Sequence, residues 1–251
     1  MEAYKRNMMV ILVLVTGILF CTAASQAAMD ITGWNLVDGN WIYTNPTDES
    51  GRMDEKTTSN TVGPGWVVSD FVLPANSSFS MTLQVTAPTT DDDFIGLAFC
   101  YQNNTHFYLL DWKKEVQSNQ VWGDSSADNI AEQGIKLKKI DGSWTWDGLW
   151  GGEDGIGVST LDGPAPAIGG WVLDTAYTFD VDLSPGHILV ALNGSPLFNV
   201  PDSTFQGGAI ALYGFSQNNL LFSDVTYIPE PATLSLLGLG ALSLLRRRKN
   251  S

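Results

Sequence analysis

The chain has 251 residues with 27 acidic and 13 basic side chains, a formal net charge of −14 at pH 7. Such a surface repels nucleic acid and attracts cations, so no nucleic-acid partner is expected. Its two cysteines, Cys21 and Cys100, argue against a fold held together by a set of disulfides.

Residues 1–27 predict a secretory signal peptide. Lys5 and Arg6 precede a mainly apolar run over residues 8–19, and small residues lead to a cleavage site predicted after Ala27. We therefore expect the folded part of the chain to be exported. Without this segment and residues 229–251, 25 acidic and 7 basic side chains remain, a net charge of −18.

Residues 30–228 predict a single all-β domain. Short segments rich in β-branched and aromatic residues alternate with Gly, Asn, Asp and Pro, which is typical of an antiparallel jelly-roll sandwich. Strands are predicted at 34–37, 41–43, 65–72, 78–85, 94–101, 107–113, 135–140, 177–183, 188–192, 196–199, 208–215 and 220–227. A short helix over residues 129–139 is the competing interpretation there, although Gly134 in its middle disfavours it.

The stretch from Asp91 to Lys114 predicts a β-hairpin with an acidic entrance and a polar turn at residues 102–105. The two-residue period places two sets on opposite faces of its first strand: Ile95, Leu97, Phe99 and Tyr101, and Phe94, Gly96, Ala98 and Cys100. Both sets are largely apolar, so we expect this strand to be covered on both faces.

Asp91, Asp92 and Asp93 at this entrance are candidate ligands for a structural Ca²⁺. Calcium takes six to eight oxygen ligands, so other acids or carbonyl groups must join them. Because adjacent residues of an extended strand point to opposite faces, we expect two of the three to converge, Asp91 and Asp93 foremost. A solvated acidic run without a metal is the alternative.

Residues 141–170 are rich in Gly, Trp, Asp and Pro and predict a long loop without strands. Asp141, Ser143, Thr145 and Asp147 have the spacing of a calcium loop but lack its central Gly and closing Glu. The loop also carries three tryptophans: Trp144, Trp146 and Trp150. They are candidate platforms for sugar rings, but the favoured interpretation is that they pin the loop by burying apolar area.

Residues 229–251 carry three features in a fixed order: a Pro-Glu-Pro motif, fourteen mostly apolar residues and a basic tail. The apolar run is shorter than the roughly 20 residues of a stable spanning helix, and the basic tail favours a cytoplasmic end. The defining residues are Pro229, Glu230, Pro231, Arg246, Arg247 and Arg248.

These features resemble the PEP-CTERM sorting signal of exopolysaccharide-producing Gram-negative bacteria. The resemblance implies transient anchoring in the inner membrane, processing by the membrane protease exosortase, and delivery to the cell surface or extracellular matrix. A plain C-terminal membrane anchor is the alternative.

No catalytic motif stands out in the sequence. His106 and His187 accompany neither a Ser nucleophile elbow nor an HExxH helix, and no strand carries the alternating carboxylates of sandwich glycosidases. We therefore predict a non-enzymatic protein. A secreted glycoside hydrolase or lyase on the same fold is the alternative, because folding can bring distant carboxylates together.

Two blocks resemble the thrombospondin C-terminal domain. DDDFIGLAFCYQNNTHFYLLDWKK (91–114) is similar to that family's central signature, and GGAIALYGFSQNNLLFSDVTY (207–227) to its final pair of strands. Cys100 stands where the family signature has Gly. The resemblance implies a concanavalin A-like lectin sandwich that is extracellular, calcium-associated and used in adhesion, with an extracellular polysaccharide or a surface protein as partner.

Overall fold

The computed structural model describes residues 29, 31, 33–38, 41–43, 53–55, 64–118, 130–151, 157–165 and 168–228. The predicted signal peptide and the sorting segment from Pro229 onward lie outside them. Their elements in chain order are β1 (Asn35–Asp38), β2 (Trp41–Tyr43), β3 (Met53–Glu55), β4 (Pro64–Val68), β5 (Ser78–Val85), β6 (Phe94–Asn103), β7 (His106–Lys113), β8 (Gln117–Ser118), β9 (Ile130–Ala131), β10 (Gly134–Asp141), α1 (Trp146–Gly151), β11 (Val158–Asp162), β12 (Tyr177–Ser184), β13 (His187–Leu192), β14 (Ser195–Val200), β15 (Ala209–Phe215) and β16 (Leu220–Ile228).

The strands form a two-layer sandwich. One sheet has seven strands in the order β1-β4-β15-β6-β7-β10-β11, and the other has five in the order β14-β13-β12-β5-β16. Strands β2 and β3, and β8 and β9, form two further short sheets. Residues Ala28–Tyr227 make one compact unit. The prediction of an all-β jelly-roll sandwich is therefore confirmed.

Alternate side chains of β5 and β12 point into the space between the two sheets. In β5, buried and partly exposed residues alternate along all eight positions, and Met81 is completely buried. The central part of β12 shows the same alternation, with Phe179 and Val181 1% exposed. Burying one such side chain contributes about 1.5–3 kcal/mol, so this shared core is the main source of stability.

The predicted alternation of β6 breaks at Cys100. Ile95, Leu97 and Phe99 face the core between the sheets as predicted. Cys100 belongs to the same core, however, and Tyr101 packs on the opposite side. Cys100 has φ of 49°, and the registers with β7 and β15 shift beside it, as at a β-bulge. The inserted residue reverses the faces that follow, so the predicted faces of Cys100 and Tyr101 are wrong.

A second hydrophobic cluster covers the outer face of the seven-stranded sheet. Trp66, Phe94 and Tyr213 extend from its strands, and Leu149 and Trp150 of α1 pack on top of them. The prediction of a loop without strands over residues 141–170 is therefore wrong. Helix α1 covers the sheet, and β11 pairs with β10 as an edge strand. Residues 134–139 belong to β10, so the competing interpretation of a helix over residues 129–139 is also wrong.

Candidate functional site

Asp91, Asp92 and Asp93 lie in the segment that enters β6. One carboxylate oxygen from each of the three lies within 4.8 Å of the others. The expectation that two of them converge was too narrow, because β6 begins only at Phe94 and the alternation of an extended strand does not apply before it. Within the described ranges, this is the one group of three or more His, Cys, Asp or Glu residues close enough to hold a metal ion.

The turn between β15 and β16 positions this acidic triplet. The backbone N–H of Asp93 donates to Oε1 of Gln217 at 3.0 Å, and the carbonyl oxygen of Asp93 accepts from Nε1 of Trp171 at 3.0 Å. Gln217 is completely buried and donates from Nε2 to the carbonyl oxygen of Asn218 at 2.9 Å. Two buried side chains from distant parts of the sequence therefore fix the backbone at Asp93.

A buried lysine neutralises part of the triplet. Nζ of Lys113 lies 3.1 Å from Oδ1 of Asp92 and 2.8 Å from Oδ1 of Asp93. It also donates to the carbonyl oxygen of Asp92 at 2.8 Å and to Oε1 of Gln117 at 2.6 Å. When all three carboxylates are ionised, this single ammonium leaves two negative charges. One divalent cation would balance them.

Lys113 forms ion pairs with Asp92 and Asp93, and Asp91 is the third carboxylate of the triplet. Burial, followed by the charge of the neighbouring Asp93, raises the pKa of Asp91 to about 7. Asp91 borders an open cleft of about 630 Å³ formed with residues 87–90 and Asn218. Oδ1 of Asn218 is buried and has no hydrogen-bond partner among the described residues. The cleft is thus lined by one residue with a carboxylate and one with an amide, and calcium accepts oxygen ligands of both kinds.

The second predicted calcium pattern forms a helix start instead. Oγ1 of Thr145 accepts a hydrogen bond from the N–H of Gly148 at 3.1 Å, which caps α1. Asp141 is exposed at the end of β10, 3.6 Å from Nε2 of His106. Neither Asp141 nor Asp147 joins a metal-sized cluster within the described ranges.

The tryptophans of the covering segment differ in their surroundings. Trp150 is 3% exposed and packs edge-on against Phe94 and Phe215, with ring centroids 5.2 and 5.4 Å away. Trp144 is half-buried, and its Nε1 donates to the carbonyl oxygen of Asn104. The side chain of Trp146 lies outside the described residues. Trp150 therefore does not belong to an exposed sugar platform, whereas a ligand-binding role for Trp144 and Trp146 stays a prediction.

A second buried ion pair supports the sheet beneath α1. Nζ of Lys138 contacts Oδ2 of Asp111 and the carbonyl oxygen of Leu149, and both charged side chains are at most 1% exposed. Burial raises the pKa of Asp111 and lowers that of Lys138, while their mutual attraction acts in the opposite direction. The pair links β7, β10 and α1 through one buried contact.

Sequence reasoning missed Lys113 and Gln217 as parts of the acidic site. In the β6–β7 register Lys113 lies opposite Phe94, and Phe94 directly follows Asp93 in the sequence. A register drawn for the predicted hairpin would have placed it there. Gln217 had no comparable signal, because its contact with Asp93 depends on the long-range pairing of β15 with β6.

Comparisons with known proteins identify two matched regions. Residues 50–230 match the family model described as the thrombospondin C-terminal region, and residues 228–249 match the PEP-CTERM protein-sorting motif. The chain is 30% identical over 217 residues to thrombospondin-3b of Danio rerio and 28% identical over 225 residues to cartilage oligomeric matrix protein of Homo sapiens. These alignments cover 82% and 83% of this chain but 22% and 28% of the relatives.

Solved structures show the same fold at low identity. The carbohydrate-binding module CBM66 from Bacillus subtilis aligns with a TM-score of 0.53 and 13% identity, covering 78% of this chain and 96% of the module. The exoplasmic/lumenal domain of VIP36, in a Ca²⁺/Man-bound form, aligns with a TM-score of 0.51 and 12% identity, covering 78% and 82% of the two chains. Among the described helices, none is long and apolar enough to cross a membrane.

Proposed function

Because the chain belongs to the thrombospondin C-terminal region family and is exported with a C-terminal membrane-anchoring sorting signal, we propose that it is a calcium-stabilised protein of the cell surface or extracellular matrix. In this proposal the sandwich binds an extracellular polysaccharide or surface protein. Exosortase processes the chain near Pro229, Glu230 and Pro231 after transient anchoring in the inner membrane.

The arrangement of the acidic triplet carries the calcium part of this proposal. Three carboxylate oxygens converge within 4.8 Å, and Lys113 can balance one of the three charges. Asp91 borders an open cleft, so a cation can reach the triplet from solvent on that side. The triplet supplies part of a calcium coordination sphere, and water or backbone carbonyl groups of residues 87–90 would complete it.

The test is a thermal-unfolding titration of the purified exported chain. Chelated protein should melt at a lower temperature than protein with millimolar CaCl₂, because a ligand that binds only the folded state stabilises it. Asp91→Asn should remove most of this difference. Asp224→Asn is the matched control, because this exposed carboxylate lies away from the triplet in β16. Identical melting curves with CaCl₂ and with chelator would rule the calcium site out.

The proposed ligand class rests on the lectin-like character of the family and on the aromatic segment around Trp144. A polysaccharide array probed with the calcium-loaded chain should give binding that Trp144→Ala weakens and Asp224→Asn leaves unchanged. Release of reducing ends from any bound polysaccharide would instead favour the glycosidase alternative. Binding to extracted surface proteins, with none to glycans, would identify a protein partner.

A further inference from the structure

The last strand of the sandwich ends where the sorting motif begins. Strand β16 spans Leu220–Ile228, and Pro229 is the next residue. Val225 is 1% exposed, and Tyr227 packs partly buried against the core between the sheets. The residues immediately before the motif are therefore part of the folded sandwich and do not form a separate linker.

The N-terminal end of the sandwich secures this part of β16. The N–H of Met29 donates to the carbonyl oxygen of Val225 at 2.7 Å, and the Met29 side chain packs against the core. Ile31 and Trp34 are 1% and 4% exposed in the same core, so the segment that carries Met29 is itself anchored. Cleavage after Ala27 would make Met29 the second residue of the exported chain. This hydrogen bond thus joins a residue just after the predicted signal-peptide cleavage site to a residue just before the sorting motif.

A protease that cuts near the motif must bind several substrate residues in extended form, with their backbone groups free to pair with the enzyme. Here the carbonyl oxygen of Val225 already accepts from Met29. The cut breaks a peptide C–N bond; the acyl carbon passes to water or to an acceptor amine, and the new amino end stays on the tail. The substrate residues before a cut near Pro229 include the end of β16. Residues 225–228 must therefore leave the sheet before the protease can bind them.

We propose that Met29 is a positioning residue that controls this processing, because its N–H adds a hydrogen bond that secures the end of β16, the edge strand that pairs with β5. Local opening of strand ends is a normal equilibrium in folded proteins, and each hydrogen bond removed increases the open population. The inference rests on the proposed processing of the sorting signal. It adds that the folded sandwich, and not only the motif, sets the processing rate.

The test compares full-length variants in cells that contain the processing protease, by pulse labelling and the ratio of precursor to processed chain. Met29→Pro removes the N–H, whereas Met29→Ala keeps it and shortens the side chain. Loss of one backbone hydrogen bond should make Met29→Pro process about two to ten times faster than Met29→Ala. A Gly-Ser linker of about six residues between Ile228 and Pro229, spanning about 20 Å, should accelerate processing and abolish the difference between the two Met29 variants.

Equal processing rates for the two Met29 variants would overturn the role of Met29, and a linker variant processed no faster would overturn control by the folded strand. Both outcomes leave the proposed processing intact. Absence of a processed form in every variant would instead contradict the proposed processing itself. Amide hydrogen exchange of the purified chain separates local from global effects: residues 226–228 should exchange faster in Met29→Pro than in Met29→Ala, with residues 220–222 unchanged. If Met29→Pro unfolds the sandwich, the linker variant still decides whether the folded end of β16 limits processing, because it leaves β16 intact.

Discussion

Nζ of Lys113 lies 2.8 Å from Oδ1 of Asp93, and the two side chains are 0% and 6% exposed. A buried ion pair of this kind adds little to the free energy of unfolding beyond what apolar side chains would give. Removing one partner is strongly destabilising, because the other charge is then buried without compensation. The triplet therefore has an internal cation that holds two of its carboxylates in place. The carboxylate of Asp91, which borders the cleft, remains available to a cation from solvent.

Replacing Lys113 by Met should destabilise the fold strongly. The ammonium that compensates Asp92 and Asp93 is lost, and a buried charge without its partner costs about 3–5 kcal/mol. Urea unfolding at neutral pH measures the change in the free energy of unfolding.

Lys114→Met is the control for this variant. Lys114 is partly exposed, and its Nζ lies 5.0 Å from the ring centroid of Trp171, a contact that contributes about 1 kcal/mol or less. The double variant Lys113→Met, Asp93→Asn should recover part of the loss, because it removes the uncompensated charge. Equal effects of the two single lysine variants would contradict this account.

The bulge at Cys100 makes a separate prediction. A left-handed backbone costs a residue with a Cβ about 1–2 kcal/mol relative to glycine. Cys100→Ala keeps the backbone strain and loses the buried sulfur. Cys100→Gly also loses the sulfur but relieves the strain. We expect the Gly variant to be more stable than the Ala variant by about 1 kcal/mol in urea unfolding, even though glycine is more flexible in the unfolded chain.

Cys100→Val is the opposing control. Its β-branched side chain is poorly tolerated at positive φ, so it should be the least stable of the three variants. An Ala variant more stable than the Gly variant would show that the backbone strain at Cys100 is negligible.

The same residue shows how far the sequence predicts the fold. Alternation located β5 and β12 of the five-stranded sheet, because one face of each is buried. Strands β4, β6 and β15 of the other sheet are buried on both faces, so the apolar character of the whole segment located them. Alternation failed after Phe99, because a bulge depends on packing against Gly208, where an added Cβ would lie 2.5 Å from the backbone of Cys100. Strand β11 was missed because its pairing with β10 gives an exposed edge with little apolar pattern. The acidic triplet could be read from the sequence, but the long-range contact with Gln217 could not.

Asp202 should make stability fall at low pH. The hydroxyl of Tyr108 and Nζ of Lys139 donate to its carboxylate, as does the N–H of Thr204 at 2.8 Å. Although burial raises the pKa of Asp202, these hydrogen bonds outweigh it and lower the pKa to about 2. A carboxyl group with a lowered folded-state pKa stabilises the fold above its unfolded pKa near 3.8, and this contribution is lost as the pH falls through about 2.

Asp202→Asn should therefore lower the free energy of unfolding by about 1–2 kcal/mol at pH 6 and flatten its decline between pH 4 and 2. Asp180→Asn is the control, because this carboxylate is exposed on the outer face of β12 and should change stability by less than about 0.5 kcal/mol. Urea unfolding over this pH range gives both quantities. A parallel acid decline in wild type and Asp202→Asn would contradict the assigned cause.

Substitution of the tryptophans separates support of the sheet from ligand contact. Trp150 is buried against Phe94 and Phe215, so Trp150→Ala should cost about 3–5 kcal/mol and loosen α1 from the sheet. Trp144 is half-buried, so Trp144→Ala should cost about 1–2 kcal/mol and leave a folded chain whose glycan binding can be measured. Trp150→Phe keeps an aromatic ring and should fall between the two. If Trp144→Ala were as destabilising as Trp150→Ala, both residues would act as structural supports, and ligand contact would have to lie elsewhere on the sandwich.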